Sequence, residues 1–465
     1  MMARNRPNYS HTKPPRKNKL LISVFIGSIA TICLVAGFTA GLRSLVQGPE
    51  FKNYLTSRIQ RSLACAVSMD HLSFRWTSLT SALVESREIK IGNITTDPFE
   101  LSIARLEMSL DLGGMLSGAL DVDFLNISNP RITIDSNSVT SIVPKLSTGP
   151  GFRPALNPIV KSLRIIDAKV LNRKKSGANI QLETLFSGIE CSAGNISMTG
   201  VERFEAHGLS HEGNKKGRLE LSGNVELSGD TDESYSRKSF IKFRLLDYPI
   251  YPVSHIMSGF FPNLASLRGV ANANIQVNGS WDAWKLVGTL EINNFSQSTN
   301  RHSVGAHSDR ISTSIEGYRN ADRISISMPS LSAPGIDASV ETNFHNLGSE
   351  NAHVAVSVRK ADINLDEAIR VAPLKLLDPL DQERILNAGI KGKIRILSAS
   401  WNHGLKSQKK SQPFWTNLVV DASLSRVTAL IPGFEIPFEN TSGSFRLNSN
   451  EALFKGINVT IGSSP

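Results

Sequence analysis

The chain has 465 residues, with 51 Lys and Arg against 41 Asp and Glu, so its formal net charge is +10. Its 40% hydrophobic and 20% charged residues exclude collagen, long coiled coils, polytopic membrane proteins and wholly disordered chains. The length fits about three folded units or one elongated β structure, and three cysteines without a CxxC pair exclude a disulfide framework.

The positive charge is concentrated at the start of the chain. Residues 1–19 contain six Lys and Arg and no acidic residue, so the remaining chain carries +10 − 6 = +4. A nucleic-acid surface requires basic and aromatic side chains clustered on the folded part, and no such cluster is visible. We therefore expect no nucleic-acid partner. We interpret residues 1–19 as a basic tail, and the membrane anchor described next makes it a cytoplasmic tail.

Residues 20–42 form an uncharged run, LLISVFIGSIATICLVAGFTAGL. A helix of this length reaches ~34 Å, enough to cross the ~30 Å hydrocarbon core of a bilayer. A cleaved signal peptide is the competing interpretation, although its apolar region is usually only about 7–15 residues long. The sequence predicts a single-pass transmembrane helix, with residues 43–465 on the far side of the membrane.

The next segment, residues 49–69, has the pattern of an amphipathic helix. Phe51, Tyr54, Leu55, Ile59 and Leu63 recur at three- and four-residue spacing. Such a helix would either lie on the bilayer surface or cap the end of a sheet.

From about Asp70 the hydrophobic period changes to two, as in Leu106-Glu-Met108-Ser-Leu110-Asp-Leu112 and Ile132-Thr-Ile134. Strands with one apolar and one wet face are typical of antiparallel sheet. Beyond Asp70, helices are predicted only in two places, between Val253 and Phe261 and between Leu365 and Leu386. The second is broken near Pro373 and Pro379. Four prolines mark residues 144–158 as a linker between a β segment (70–143) and a repeated β-hairpin region (159–465).

Motifs that carry chemistry are missing from the sequence. It contains no GxSxG, GxxxxGK[ST], HExxH or strand-following GxGxxG motif. His207 and His211 are four residues apart, but we interpret them as a solvated loop pair because a third and fourth metal ligand are lacking. We therefore expect no catalytic residues, no bound metal and no cofactor. We do not expect the protein to be an enzyme.

Several segments resemble one known family. Residues 106–134 read LEMSLDLGGMLSGALDVDFLNISNPRITI, and residues 267–292 read LRGVANANIQVNGSWDAWKLVGTLEI. Together with the basic tail, the anchor and the closing segment VTALIPGFEIPFENTSGSFRLNSNEALFKGINVTIGSSP, they resemble the AsmA-like bacterial envelope proteins, which include the TamB and YhdP types. The match covers most of the chain but consists of degenerate hydrophobic patterns.

The resemblance implies a fold and a function. The fold would be mainly β, with an N-terminal transmembrane helix followed by an elongated, curved, largely antiparallel sheet shaped like a groove and a few short helices. The chain would be anchored in the inner membrane and guide phospholipid acyl chains across the periplasm toward the outer membrane. The alternative is a membrane-tethered scaffold for outer-membrane proteins that binds other envelope proteins by strand addition.

Two further expectations follow from the strands. Six apolar side chains are the candidates for lining the lipid groove: Leu106, Met108, Leu110, Leu112, Ile132 and Ile134. Periodicity leaves open whether they line an open groove or the core of a closed sandwich. Because the alternating strand that ends at Ile461 is followed by small residues rather than by a cap, we also expect the hairpin region to be incomplete at residue 465.

Overall fold

The computed structural model describes a mainly β protein. Its described residues run from 66 to 461, with gaps at 79, 93–98, 112–118, 136–156, 177–178, 198, 227–238, 258–266, 281–282, 298–306, 321, 347–348, 350, 372–378, 405–416, 431–436 and 449–450. Four helical residues before this range, Asn53, Thr56, Ser57 and Gln60, are also described.

Twenty strands form one sheet in the described part of the chain. They are β1 Val67–Ser68, β2 His71–Trp76, β3 Ser81–Ile91, β4 Phe99–Asp111, β5 Ala119–Ile134, β6 Asn157–Ser176, β7 Asn179–Ser197, β8 Gly200–Glu212, β9 Lys215–Glu226, β10 Ser239–Pro249, β11 Leu267–Gly279, β12 Trp284–Gln297, β13 His307–Asn320, β14 Arg323–Ala333, β15 Ile336–His345, β16 His353–Asn364, β17 Lys391–Gly404, β18 Leu418–Ala429, β19 Phe438–Leu447 and β20 Ala452–Ile461.

The order of strands in the sheet follows the order in the chain. Both β1 and β2 pair with β3, and from β3 to β20 each strand pairs with the next. Short polar turns make this meander possible, since hairpins join antiparallel neighbours at little cost. The expected mainly β, largely antiparallel sheet is confirmed.

One pairing among the described strands is parallel, that of β5 with β6. Ala119 at the start of β5 lies opposite Asn157 at the start of β6, and Ile134 at the end of β5 lies opposite Asn172 of β6. A parallel pair needs a crossover of a dozen or more residues. The predicted linker 144–158 falls in the connection between these two parallel strands, but its last two residues, Asn157 and Pro158, already belong to β6.

Three short helices are described at one end of the strands. They are α1 Tyr251–Met257, between β10 and β11, and α2 Leu365–Val371 and α3 Pro379–Asn387, both between β16 and β17. Both predicted helical regions are thus confirmed, with α1 beginning two residues earlier than expected. Proline near the N-terminus of α1 and at the first position of α3 fits the preference of proline for the first helical turn.

The N-terminal predictions are only partly covered by the described residues. The predicted tail 1–19 and transmembrane helix 20–42 lie outside them, and none of the helices that are described is long and apolar enough to span a bilayer. The predicted amphipathic helix 49–69 is too long at its C-terminal end, because β1 occupies Val67–Ser68. There the backbone pairs with Ile91 and Lys90 of β3, and strand pairing prevails over the helical pattern.

A line of left-handed backbone residues crosses the first half of the sheet. Glu88 of β3, Asn129 of β5 and Asp167 of β6 have φ of 51°, and Asp247 of β10 has φ of 47°. We call this line the crease. The register of β10 with β11 shifts at Asp247, and that of β6 with β7 shifts at Asp167, as at a β-bulge. A β-bulge bends a strand and increases its twist. At Asp247 the displaced backbone N–H donates a hydrogen bond of 2.9 Å to Oδ1 of Asn272 on β11.

The crease also changes which residues share a face of the sheet. In a regular strand residues i and i+2 point the same way, yet Ile103 and Leu106 of β4 belong to one hydrophobic cluster with Ile89 of β3 and Ile127 of β5. The spacing of three between Ile103 and Leu106 spans the crease. The bend therefore shifts the alternation so that apolar residues on both sides of it point to the same face.

Candidate functional site

The candidate site is the face of the sheet that carries the apolar residues. Of the predicted groove residues, Leu106, Met108 and Leu110 lie opposite Ile127, Leu125 and Val122 of β5. These three alternate on β4, and Leu106 packs against the cluster of Ile103, so all three point to the apolar face.

The other predicted groove residues lie beyond the crease. Ile132 and Ile134 pair with Leu101 and Phe99 of β4, and Leu101 packs against the same cluster as Leu106. The structure therefore places five of the six candidates on one face. The sixth, Leu112, lies outside the described residues.

The same face continues far beyond β4 and β5. Following register partners from strand to strand gives one line of side chains that crosses 17 strands from β2 to β18, which we call the apolar row. Its members are Phe74, Val84, Met108, Leu125, Leu163, Ala193, Phe204, Gly223, Ile241, Val277, Leu286, Gly317, Ile326, Thr342, Val356, Trp401 and Leu418.

The line displaced by one residue has the opposite character, and we call it the polar row. Its members are Ser73, Glu85, Glu107, Asn126, Arg164, Ser192, Glu205, Ser222, Lys242, Gln276, Val287, Glu316, Ser327, Glu341, Ser357, Ser400 and Val419. The apolar row contains no charged residue, whereas the polar row contains many. Neighbouring strands ~4.8 Å apart give the apolar row a length of roughly 75 Å.

The apolar face is a single layer in the described part of the chain. Almost all contacts of each strand are with its neighbours in the sheet, and no second sheet packs against this face in that part. The other contacts are those of β8 with β10 and those of α1 and α2 with strands next to them. Most members of the apolar row, such as Met108, Ile241 and Val356, are half-buried rather than buried. Half-exposed aliphatic side chains aligned across many strands form a continuous apolar surface, which is unusual for a monomeric soluble domain.

The opposite face is held by ion pairs that link neighbouring strands. Lys161 donates to Asp123 at 2.7 Å, and Arg359 donates to Glu341 at 2.8 Å. The hydrogen bond from Asn343 and then that from Arg359 hold the pKa of Glu341 below its ordinary value. Because these pairs are exposed, each stabilises the fold only weakly, but together they keep this face charged and wet.

The two histidines singled out in the sequence lie in a strand, so their interpretation as a loop pair is wrong. Both are on β8, which continues through Gly208. A Cβ at this glycine would lie only 3.0 Å from Cγ1 of Ile189 on β7. His207 Nε2 lies 3.6 Å from Glu190, and His211 Nε2 lies 2.6 Å from Oγ of Ser187. Burial, and then the charge of Lys216, lower the pKa of His211.

No metal-binding cluster of three or more His, Cys, Asp or Glu occurs among the described residues. Ser187 and His211 form a hydrogen-bonded pair, but the pair alone does not specify a reaction. Cys191, a free thiol, lies on the apolar face opposite Ile165 and Ala206, and burial raises its pKa.

Most of the apolar row and the crease were not predicted from the sequence. Phe204, Ile241 and Trp401 belong to the row only through the register of their strands. The signal for the crease is present in the sequence as a change of phase in the alternation, with a polar residue (Glu88, Asn129, Asp167 or Asp247) near the point of change in four of the strands. Comparisons with protein-family models, curated proteins and solved structures gave no match to this chain.

Proposed function

We propose that the protein guides phospholipid acyl chains along its apolar face, between the inner and outer membranes of a bacterial envelope. The observation that carries the proposal is the apolar row, an uncharged line of side chains that crosses 17 strands. Transport of this kind requires no catalysis, only a surface on which acyl chains stay out of water.

The physical reason is the cost of exposing hydrocarbon. Each CH₂ group in water costs about 0.8 kcal/mol relative to an apolar environment, so a bare acyl chain is strongly excluded from an aqueous compartment. A continuous apolar surface removes that cost at every position along the path. Half-exposed side chains such as Met108 and Val356 offer such a surface, whereas fully buried ones would have no room for a ligand.

The position of charge supports a lipid rather than a polar ligand. Charged residues such as Glu107 and Lys242 occupy the polar row. A charge placed among acyl chains without a partner costs several kcal/mol, so its exclusion from one entire line is what a hydrocarbon path requires.

The membrane location is part of the proposal. The uncharged run 20–42 behind six basic residues supports a single-pass anchor, with the sheet on the far side of the membrane. In this arrangement the sheet begins close to the membrane that supplies the lipid.

Photo-crosslinking in cells tests the proposal. A photo-reactive amino acid at Leu106, Met108 or Ile132 is expected to capture phospholipid, because these side chains lie on the apolar face. The matched controls are Glu107 and Ser192 of the polar row, which are expected to capture none. Equal labelling at all five positions, or at none, would contradict a one-sided lipid path.

Purification separates this function from that of a protein scaffold. A lipid carrier extracted from the membrane is expected to retain phospholipid in a constant molar ratio. Retention of outer-membrane proteins without bound phospholipid would instead favour a scaffold that pairs with other chains at its strand edges.

A further inference from the structure

All three tryptophans in the described part of the chain lie on the apolar face, near one end of the sheet. Trp401 belongs to the apolar row, and Trp76, the last residue of β2, is two residues beyond Phe74 of that row. Trp284 is the first residue of β12. Its ring lies beside Gly317 of the row, where a Cβ would be 3.4 Å from Cζ3 of the indole. The strand order puts the start of β12 at the same end as the last residues of β2 and β17.

Polar groups reach the apolar face at the same end. Arg319 of β13 is two residues beyond Gly317 of the apolar row. His403 is two residues beyond Trp401 on β17, and the two rings stack with their centroids 5.2 Å apart. Nε1 of Trp76 is buried and has no hydrogen-bond partner within the described ranges. We call this set of residues the tryptophan rim: Trp76, Trp284, Arg319, Trp401 and His403.

The opposite end of the same face is covered by helices. Helix α1 contacts β8 and β11, and α2 contacts β13, β16 and β17. Leu245, Tyr248 and Ala271 form a buried cluster at that end, and Ile250, just before α1, packs against it. The methyl ends of acyl chains are stabilised by such a dry, apolar end, whereas a charged head group must stay in contact with water. Head groups therefore fit the rim and not the helix end.

The distance between the two ends fits one acyl chain. On β12 the apolar face runs from Trp284 at the rim to Leu290, which packs against the buried cluster of Tyr248. These six residues of extended strand span about 20 Å. An acyl chain fills about 15 Å, half of the ~30 Å hydrocarbon core of a bilayer. A chain that lies along the strand therefore reaches from the rim to the neighbourhood of the cluster.

We propose that phospholipids lie on the apolar face with their acyl chains along the strands and their head groups at the tryptophan rim, and that they move across the strands in this orientation. The inference rests on the proposed function and adds the orientation of the bound lipid to it.

The side chains of the rim suit the polar part of a lipid. An indole has an apolar body and one N–H donor, and it favours the boundary between hydrocarbon and water. Trp76 and Trp284 contact the glycerol esters, whose oxygens accept hydrogen bonds from the indole N–H groups. The guanidinium of Arg319 contacts the phosphate, because arginine donates paired, charge-assisted hydrogen bonds to phosphate oxygens.

Two photo-reactive phosphatidylethanolamines test the orientation. One carries a diazirine on its head group, and the other carries it at the methyl end of an acyl chain. The full chain is extracted from membranes in detergent and mixed with phosphatidylethanolamine vesicles that contain one of the two probes. After irradiation and digestion, the labelled residues are located by mass spectrometry.

The head-group probe is expected to label residues next to Trp76 and Trp284, and the methyl-end probe is expected to label residues around Leu290 and Tyr248. Head-group labels around Leu290, or the same distribution of labels from both probes, would overturn the orientation and leave the proposed function standing. No label from either probe on the apolar face would overturn the proposed function and the orientation together.

A pair of variants tests the contact with the phosphate. Arg319→Gln is expected to lower labelling of the rim by the head-group probe several-fold and to leave labelling by the methyl-end probe unchanged. Lys285→Gln is the matched control, because it removes one positive charge at the same end of the sheet but on the polar face, opposite Tyr318. It should leave both signals unchanged, and equal losses in the two variants would overturn the contact of Arg319 with the phosphate.

A conservative variant guards against a misfolded protein. Arg319→Lys keeps the positive charge and is expected to restore much of the head-group labelling that Arg319→Gln loses. Labelling as low in Arg319→Lys as in Arg319→Gln would also overturn the assignment of the phosphate to this side chain.

Discussion

Asn129 of β5 and Asp167 of β6 lie side by side in the sheet, and the backbone φ of each is 51°. Their preceding residues, Ser128 and Ile166, are register partners in the parallel pair, so the two left-handed residues bend both strands at the same level. Asn and Asp tolerate this conformation better than other non-glycine residues. The bend keeps the apolar face continuous across two strands that run in the same direction.

The first prediction concerns that bend. Asn129→Val is expected to destabilise the protein by about 1–3 kcal/mol, because a β-branched residue is strained at positive φ. Asn129→Gly is expected to change the stability little, since glycine adopts this conformation freely. The free energy of unfolding of each purified variant, measured in urea, checks the prediction. A Val variant as stable as the Gly variant would show that residue 129 is not held in the left-handed conformation.

A second prediction concerns the close approach of β9 to β10. A Cβ at Gly217 would overlap the backbone of Asp247 and Tyr248, which cannot move aside as a flexible side chain would. Gly217→Ala is therefore expected to cost about 1–3 kcal/mol of stability. Gly194→Ala is the matched control, because its Cβ would meet only an ordinary contact of 3.7 Å with Lys161 O. Equal melting temperatures of the two variants would contradict the close approach of β9 to β10 at Gly217.

The third prediction compares the two faces with neighbouring residues of one strand. Cys191 lies on the apolar face and Ser192 on the polar face of β7. Cys191→Asp is expected to abolish lipid capture at Met108 or Val356, because an ionised carboxylate among acyl chains costs several kcal/mol unless it reaches water. Ser192→Asp should leave capture unchanged. Photo-crosslinking yields in cells measure both, and equal losses would argue against a path on one face.

A fourth prediction concerns pH and His345 of β15. Its ring stacks on His353 of β16 at 4.7 Å, and burial, then the charges of His353 and Arg323, lower its pKa from the ordinary 6.5. In the window between the lowered pKa and 6.5, the unfolded chain binds a proton that the folded chain does not, so stability falls as the pH drops through it. At higher pH both states are neutral and the full stability remains.

Substitution of the neighbour tests the cause of this shift. His353→Gln removes one of the two charges that lower the pKa of His345 and is expected to raise that pKa part of the way toward 6.5. Titration of the imidazole C2 proton by NMR measures it in both proteins. A pKa of 6.5 or higher for His345 in the unaltered chain would contradict the stacked arrangement.

Local patterns in the sequence predicted many of the strands and the three short helices. The alternation from Leu106 to Leu110 predicts a strand with one apolar face, and β4 has that form. Proline and the apolar spacing predict the helices near Pro252 and after Asn364, where α1 and α2 lie. These features depend on the preferences of a few neighbouring residues, which a single sequence contains in full.

The parallel pair and the crease could not be predicted from those patterns. Whether β6 runs parallel or antiparallel to β5 depends on the path of the chain between Ile134 and Asn157, and alternation is the same in both directions. Likewise the phase change at Asn129 resembles an irregular strand when it is viewed alone. Only its alignment with Asp167 of the neighbouring β6 and, across β4, with Glu88 of β3 makes it a feature of the sheet.

The sequence by itself determined that the chain would form strands with one apolar face, because side-chain alternation is a local property of an extended backbone. Tertiary structure alone decided that these faces join into a row from Phe74 to Leu418. The physical reason is that register and curvature arise from hydrogen bonds between strands and from the bends they share. Both depend on pairs of residues far apart in the chain.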